Sequence, residues 1–289
     1  MPETGEKATP FTTGSKLYHE RARRALPLLV RQAESGEAIA YSDLADELDM
    51  PNARNLNFVL GSIGETFQHL SKTWQQNIPP IQCLVVNRET GLPGEGFAWF
   101  LVDRAGYAKL SRSQKQAAVK AELARIFAYP GWRKVLASLQ LKPVSQAYAE
   151  LLAQAAAFRS AGESDAHKRL KEYVATHPNV VGLAATHPRG AIEFGLPSGD
   201  SLDVSFRTER EWVAAEVKSE LSQVPDVVRG IYQCVKYRAV MEATLAAAGY
   251  VAGVRAVLVL QSGLSPNLIP LRNTLGIEVI ENVSPSADA

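Results

Sequence analysis

Two stretches in the C-terminal half alternate apolar and polar residues, and they restrict the possible fold more than any other feature. The alternation over Leu202–Arg207 and Glu211–Ser219 has the period of a β-strand. In the first strand Asp203 lies on the face opposite the apolar side chains, and in the second Glu216 and Lys218 emerge side by side. The apolar positions predicted to share faces are Leu202, Val204 and Phe206 in the first strand and Val213, Ala215 and Val217 in the second. Charged side chains in strands this apolar require a local reason.

The segments around these strands predict the rest of a sheet. The expected elements are a helix over 165–176, strands over 191–196, 202–207 and 211–219, a long helix from Pro225 to near Gly249, a strand over 255–261, a short helix over 267–275 and a last strand over 277–280. The order α-β-β-β-α-β-α-β indicates a mixed sheet flanked by helices.

The N-terminal hundred residues follow another order. After a loose lead-in over 1–13, the expected elements are a helix over 15–33, a short strand over 38–41, a helix capped by Ser42, a helix over 55–75, a strand over 82–86, a Gly/Pro turn over 87–96 and a return strand over 97–102. Helix, turn, helix and β-hairpin is the order of a winged helix-turn-helix module.

Residues 104–142 are strongly basic. Nine Lys and Arg residues stand against Glu122 alone, a local charge of +8, and the pattern is helical until Pro130-Gly131. The candidates for phosphate contacts are Arg104, Lys109, Arg112 and Lys115. The alternative is a solvated helix face. A further helix ends near Ala161-Gly162, so we expect domains over 1–103 and 162–289 joined by a basic helical connector over 104–161.

Composition excludes several classes of protein. The 289 residues are 46% hydrophobic and 21% charged with a net charge of +1, so neither a disordered nor a histone-like chain is expected. Two cysteines cannot form a disulfide framework, and neither a signal core nor a membrane-length apolar run occurs. We therefore expect a cytoplasmic protein without a membrane partner. The five histidines show no metal-ligand spacing, and no Gly-rich phosphate loop of an ATPase occurs.

The charged strand positions suggest a cation site. If the two strands are neighbours, Asp203 can lie close to Glu216. Burying two carboxylates and the Lys218 ammonium is costly, and a divalent cation would offset that cost. Carboxylate oxygens are ligands that Mg²⁺ prefers. The alternative is that Glu-x-Lys lies on a solvent-facing strand, where such an ion pair contributes little.

These residues resemble the Asp…Glu-x-Lys core of the PD-(D/E)XK nuclease superfamily. Asp203 precedes Glu216-Val217-Lys218 by thirteen positions, and the next helix carries Gln233-Cys-Val-Lys-Tyr237, which is similar to the Gln-x-x-x-Tyr motif of the RecB-like branch. The resemblance covers about residues 163–282, and Leu202 stands where the family often has Pro. It implies a restriction-endonuclease-like fold in an α+β or α/β two-domain chain.

The resemblance also implies roles for the residues. Asp203 and Glu216 would hold one or two Mg²⁺ ions, with Mn²⁺ as a substitute, and the Val217 carbonyl would add a ligand. Lys218 would orient a water or offset developing negative charge. The remaining implied residues are Gln233 and Tyr237, which would hold substrate or neighbouring groups, and an acid of the first helix, for which Glu163 and Glu172 both qualify.

The N-terminal module resembles the winged-helix part of alkylguanine-DNA alkyltransferases. The similar residues are Tyr41, Leu44 and Ala45 at a helix start and the Gly-rich turn over 91–97. Cys83 lacks the flanking residues of that family's acceptor cysteine and is expected to be a buried strand cysteine. The resemblance implies a DNA-docking surface made of Arg54, Asn55 and Asn57 on a recognition helix and Arg88 on a wing over 87–90.

Together these features predict a Mg²⁺-dependent endonuclease that grips double-stranded DNA through its first domain and hydrolyses phosphodiester bonds with its second. A bacterial restriction or anti-phage defence role suits this pairing of domains, and a homodimer would cut both strands. The alternative from another class is a non-catalytic DNA-binding regulator or adaptor. RNA as the substrate is a third possibility.

Overall fold

The computed structural model describes residues 8–94, 104–144, 148–157 and 164–285. The chain divides into two compact units, Met1–Gln146 and Ala147–Ala289. The division therefore falls earlier in the chain than Ala161-Gly162, which lies outside the described residues. None of the helices in the described ranges has the length and apolar run that a bilayer crossing requires.

The first unit is mainly helical. Its elements are α1 (Leu17–Ser35), β1 (Ile39–Ala40), α2 (Tyr41–Glu47), α3 (Leu56–Trp74), β2 (Val85–Val86), α4 (Arg104–Lys109), α5 (Arg112–Ala128) and α6 (Trp132–Ser138). The two helices predicted on either side of the Pro51-Asn52 turn are confirmed as α2 and α3, and the predicted break at Pro130-Gly131 separates α5 from α6.

Two local predictions in this unit differ from the structure. The cap of α2 is Ala40 rather than Ser42, because the helix begins at Tyr41. The strand expected over 82–86 is mostly a 3-10 turn, Ile81–Leu84, in which Cys83 N–H donates to the Pro80 carbonyl at 3.0 Å. Only Val85–Val86 is extended, and it pairs in parallel with β1. The expected return strand over 97–102 lies outside the described residues.

The core of the first unit includes residues from the predicted lead-in over 1–13 and from the predicted connector over 104–161. Phe11, expected in a loose lead-in, is 1% exposed, and its amide donates to the Thr66 hydroxyl at 3.1 Å. Ile126 and Trp132 of the basic segment are buried in the same core. The helices α5 and α6 therefore belong to the first unit rather than to a separate connector, because their apolar faces complete its core.

The second unit contains the mixed sheet predicted from the sequence. Its elements are α7 (Tyr148–Ala157), α8 (Asp165–Thr176), β3 (Ala191–Gly195), β4 (Ser201–Arg207), β5 (Glu211–Lys218), α9 (Val224–Ala247), β6 (Gly253–Leu260), α10 (Ile269–Thr274) and β7 (Glu278–Ile280). The strand order is β3-β4-β5-β6-β7, antiparallel between β3, β4 and β5 and parallel between β5, β6 and β7. The α7 helix packs on α9 within this unit.

The two faces of the sheet are covered by different helices, α8 on one side and α9 on the other. Along β4, Leu202 packs on the α9 side, whereas Val204 and Phe206 pack on the α8 side. The predicted alternation therefore breaks at Asp203. The residue opposite in register, Glu193 of β3, has a left-handed φ of 52°, which re-aims the side chains at this point.

Candidate functional site

Asp203 lies where β4 separates from β5. The antiparallel pairing of these strands runs up to Val204 opposite Ala215, which makes Asp203 and Glu216 the next positions in register. Asp203 Oδ2 accepts a hydrogen bond from the Val217 backbone amide at 2.9 Å. The side-chain carboxylate thus takes the place that a strand carbonyl would otherwise fill, and the predicted proximity of β4 to β5 is confirmed.

Glu216 is held on the α9 side of the sheet by two side chains. Its carboxylate is 4% exposed, with Oε1 at 3.0 Å from Lys218 Nζ and Oε2 at 3.2 Å from the Tyr237 hydroxyl. Tyr237 also lies 3.2 Å from the Ser201 carbonyl and accepts a hydrogen bond from Gln233 Nε2 at 3.1 Å. Of the Gln-x-x-x-Tyr pattern, Tyr237 contacts Glu216 directly and Gln233 contacts Tyr237, because positions four apart share one face of α9.

Burial dominates the electrostatics of Glu216. Desolvation, and then the negative charge of Asp203, raise the pKa of Glu216 to about 7, although Lys218 and Tyr237 act in the opposite direction. Burial lowers the pKa of Lys218, but the carboxylates of Glu216 and Asp226 outweigh it and raise that pKa above its ordinary value. The raised pKa of Lys218 favours its charged form, whereas the raised pKa of Glu216 favours its neutral form.

Asp203 behaves in the opposite way. Burial raises its pKa, but the neighbouring His167 side chain, the hydrogen bond from the Val217 amide and the charge of Lys171 bring that pKa below its usual value. Asp203 Oδ1 lies 3.7 Å from His167 Nε2 and 3.5 Å from Lys171 Nζ. Two adjacent carboxylates with pKa values pushed in opposite directions are typical of functional sites.

His167 and Lys171 are the site residues that sequence reasoning missed. Lys171 is 5% exposed and is also paired with Glu193 of β3, whose other oxygen accepts from the Ser201 hydroxyl at 2.9 Å. His167 and Lys171 are four positions apart, which puts both on the face of α8 that covers the sheet, beside the buried Leu170. In the sequence, this spacing indicates only that the two side chains share a helix face.

The acid predicted in the first helix does not join this group among the described residues. Glu172 pairs with Arg189 at 2.6 Å, and both side chains are more than half exposed. Glu172 follows Lys171 by one position, which turns it about 100° around the helix and toward solvent. Glu163, the other candidate, lies outside the described residues.

Asp203 and Glu216 are carboxylates of the kind that Mg²⁺ prefers, but Asp203 is contacted by His167 and Lys171 of α8, whereas Glu216 is contacted by Tyr237 of α9, on the other face of the sheet. Within the described ranges, no three His, Cys, Asp or Glu side chains are grouped so that together they could hold a metal ion. Proteins commonly hold Mg²⁺ through one or two carboxylates, and waters and a substrate phosphate complete its ligands. Asp203 and Glu216 are the candidate carboxylates here. The Val217 carbonyl points to the same side of β5 as its amide, toward Asp203. Gln233 Oε1 is a buried acceptor without a hydrogen-bond partner in the described structure.

The predicted nucleic-acid contacts of the first unit are partly exposed and partly engaged. Arg54, Asn55 and Asn57 are exposed around the start of α3. Arg88 is bound to Asp43 at 2.6 Å. Of the four candidates in the basic segment, Lys109 and Arg112 are exposed, Lys115 is half-buried at 5.6 Å from the Tyr107 ring centre, and the side chain of Arg104 lies outside the description.

Cys83 is fully buried and free, as expected for a structural cysteine, although it lies in the 3-10 turn rather than in a strand. Burial, and secondarily the charge of Glu122, raise the pKa of its thiol. A buried cysteine with a raised pKa is a poor nucleophile.

Comparison of the chain with protein families, curated proteins and solved structures finds no match. The function is therefore inferred from the side chains around β4 and β5. These are the carboxylates of Asp203 and Glu216, whose pKa values shift in opposite directions, the ion-paired ammonium of Lys218 and the buried amide oxygen of Gln233.

Proposed function

We propose that the protein is a Mg²⁺-dependent DNA endonuclease whose second unit is a PD-(D/E)XK nuclease domain. The hydrogen bond of 2.9 Å between Asp203 and the Val217 amide is the observation that carries the proposal. It holds the Asp203 carboxylate against β5, where Glu216 is the next residue in register after Ala215, the last position paired with β4. Burying charges in this way is costly, and a bound cation would offset the repulsion between the two carboxylates.

The residues of the second unit divide the work of phosphodiester hydrolysis. Asp203, Glu216 and the Val217 carbonyl would hold Mg²⁺, which when bound supplies a water of lowered pKa and neutralises phosphate charge. Lys218, buried 3.0 Å from Glu216, orients the attacking water or offsets the charge that develops on the phosphate. Tyr237 holds Glu216 Oε2 in place. The unpartnered Gln233 Oε1 is available to accept a hydrogen bond from substrate or from a bound water.

The first unit would grip duplex DNA in the manner of a winged helix. The α2–turn–α3 order presents Arg54, Asn55 and Asn57 at the start of the second helix, where such modules contact DNA. The exposed Lys109 and Arg112 would add phosphate contacts.

The proposal is tested by incubating supercoiled plasmid with the protein and Mg²⁺, Mn²⁺ or EDTA. We expect metal-dependent nicking that falls by at least about 100-fold in Asp203→Asn, because removing a metal ligand removes most of the charge stabilisation. The matched control is Asp165→Asn, since Asp165 lies in the first turn of α8 and its carboxylate is 88% exposed. A wild-type protein that is inert on duplex DNA, single-stranded DNA and RNA would favour the regulator, and unaltered nicking by Asp203→Asn would refute the assignment of the site.

DNA binding by the first unit is tested separately in the cleavage-deficient Asp203→Asn background. The double change Arg54→Ala and Arg112→Ala is expected to weaken binding to a labelled duplex and to reduce the slope of log K against log[salt] by about 2, since each lost phosphate contact accounts for about 1. Fluorescence anisotropy at several salt concentrations measures both. Arg24→Ala is the control, because Arg24 is also exposed but is paired with Asp49 at 2.8 Å. Equal slopes for the two variants would contradict the proposed surface.

A further inference from the structure

Lys218 is fixed at two points rather than one. Its Nζ lies 3.0 Å from Glu216 Oε1 on its own strand and 3.1 Å from Asp226 Oδ1 on α9. The side chain of Lys218 is 8% exposed and that of Asp226 is 17% exposed, so water screens neither contact strongly. A lysine stem has several rotatable bonds, and two charged partners on different elements restrict its ammonium to one place.

The position of Asp226 is set by the start of α9. The helix begins at Val224 with Pro225 in its first turn, and the Asp226 amide donates to the Gln223 carbonyl at 2.9 Å. A carboxylate in the first turn also interacts favourably with the helix dipole. The start of α9 therefore fixes the position of Asp226, and the Lys218 side chain extends from β5 to contact it.

Gly230, one turn further along the same face of α9, makes room for the lysine stem. A Cβ at this position would stand 3.0 Å from Lys218 Cε and 2.9 Å from Leu258 Cδ1. Both contacts are closer than real Cβ atoms normally allow, so the stem lies directly against the helix backbone. Asp226 and Gly230 are four residues apart, which places them on one side of the helix.

We propose that Asp226 is a positioning residue that holds the Lys218 ammonium for the hydrolysis of the phosphodiester, with Gly230 providing the space. The chemical consequence rests on the proposed function. Asp226 makes its contribution through Lys218 and does not touch the metal or the DNA. Asp226→Asn removes the charged contact of Lys218 Nζ on α9 and leaves the one to Glu216 on β5, so the ammonium is held from one element rather than two and its position for the reaction is less fixed.

The first measurement is cleavage under single-turnover and steady-state conditions. Asp226→Asn is expected to lower kcat by about 10- to 100-fold, the usual range for groups that orient catalytic residues, with the KM for DNA and the affinity for Mg²⁺ within about 2-fold of wild type. Asp226→Glu should recover a substantial part of kcat, because it restores the charge. Asp165→Asn makes the same chemical change in the first turn of α8 and should have no effect. Thermal unfolding establishes that each variant is folded.

The second measurement follows the ammonium itself, by ¹⁵N NMR of lysine Nζ groups, with the Lys218 signal assigned from its loss in Lys218→Met. A buried, doubly paired ammonium should give a signal that shifts or broadens in Asp226→Asn and returns in Asp226→Glu. An unchanged signal together with unchanged kcat overturns the proposal, and so does a loss of Mg²⁺ affinity as large as the loss of kcat. If Asp226→Asn displaces the Lys218 signal but the wild-type protein cleaves no substrate, Asp226 positions Lys218 as proposed and the nuclease function is refuted.

Discussion

Replacing Glu216 with Gln is expected to reduce Mg²⁺-dependent cleavage by at least about 1000-fold and, at the same time, to stabilise the metal-free protein at neutral pH. Cleavage falls because a carboxamide oxygen is a weak ligand for Mg²⁺ and Glu216 is one of only two carboxylates in the proposed metal set. Stability rises because burial and the charge of Asp203 disfavour the ionised Glu216 carboxylate by more than Lys218 and Tyr237 favour it, and because Lys218 keeps Asp226 as a charged partner.

The pH dependence of stability has a definite sign. The pKa of Glu216 rises from 4.5 to about 7 on folding, so between these values the unfolded chain is ionised while the folded protein keeps its proton. Stability of the metal-free protein therefore falls as pH rises through this window, by up to about 3 kcal/mol at roughly 1.4 kcal/mol per pKa unit. Asp203, whose pKa is lowered, affects stability only at more acidic pH. Urea unfolding in EDTA at intervals from pH 4.5 to 8 measures the slope.

The control for this pair of effects is Glu220→Gln. Glu220 is exposed just after β5, so the same chemical change should leave both cleavage and the pH slope as in wild type. A Glu216→Gln protein that is less stable than wild type at pH 8, or that retains the full slope, would show that the ionised carboxylate is not penalised by burial.

The part of the site that the sequence predicts is the part that strand periodicity and register determine. The alternation of β5 puts Glu216 and Lys218 on one face, and the antiparallel register of β4 with β5 places Asp203 opposite Glu216. Gln233 and Tyr237 follow from helical spacing on α9. Each of these relations lies within one element or between two neighbouring strands, so it can be predicted without knowing how the helices pack on the sheet.

The missed residues depend on how a helix lies across the sheet. His167 and Lys171 reach Asp203 from α8, an element separated from β4 by β3 and two loops, and no local pattern fixes that approach. The close passage of α9 over the Lys218 stem at Gly230 is likewise a property of packing. Residues that act through contacts between sequence-distant surfaces are the ones that periodicity leaves undetermined.

Local backbone chemistry accounts for the remaining differences. The strand expected over 82–86 was inferred from a run of apolar residues, yet Ile81–Leu84 is a 3-10 turn in which every side chain is buried. A continuous apolar run does not distinguish a buried strand from a buried turn. Similarly, the left-handed φ at Glu193 breaks the alternation of β4 at Asp203, and a non-glycine residue gives no sequence sign of that conformation.

In the first unit, Arg31→Met is expected to cost about 3–5 kcal/mol of unfolding free energy. Arg31 and Glu47 are 2% and 5% exposed and form a bidentate pair, with Nη2–Oε1 at 2.6 Å and Nη1–Oε2 at 2.8 Å, that joins α1 to α2. Removing the guanidinium leaves the Glu47 carboxylate buried without these two donors, and that loss is much larger than the net contribution of the intact pair. Urea unfolding followed by tryptophan fluorescence measures the change, since Trp132 is buried in this core.

Two further variants separate the desolvation cost from a simple loss of packing. The double change Arg31→Met and Glu47→Leu should recover most of the stability, because it removes both charges from the interior. Arg24→Met makes the same substitution in α1 at a pair that is 54% and 83% exposed, and it should cost no more than about 1 kcal/mol. If Arg31→Met and Arg24→Met lost the same amount, or if the double variant were less stable than Arg31→Met, the buried pair would be no more than a surface ion pair in its effect. A large loss that the double variant reverses would instead show that the contact between α1 and α2 depends on keeping these two charges together.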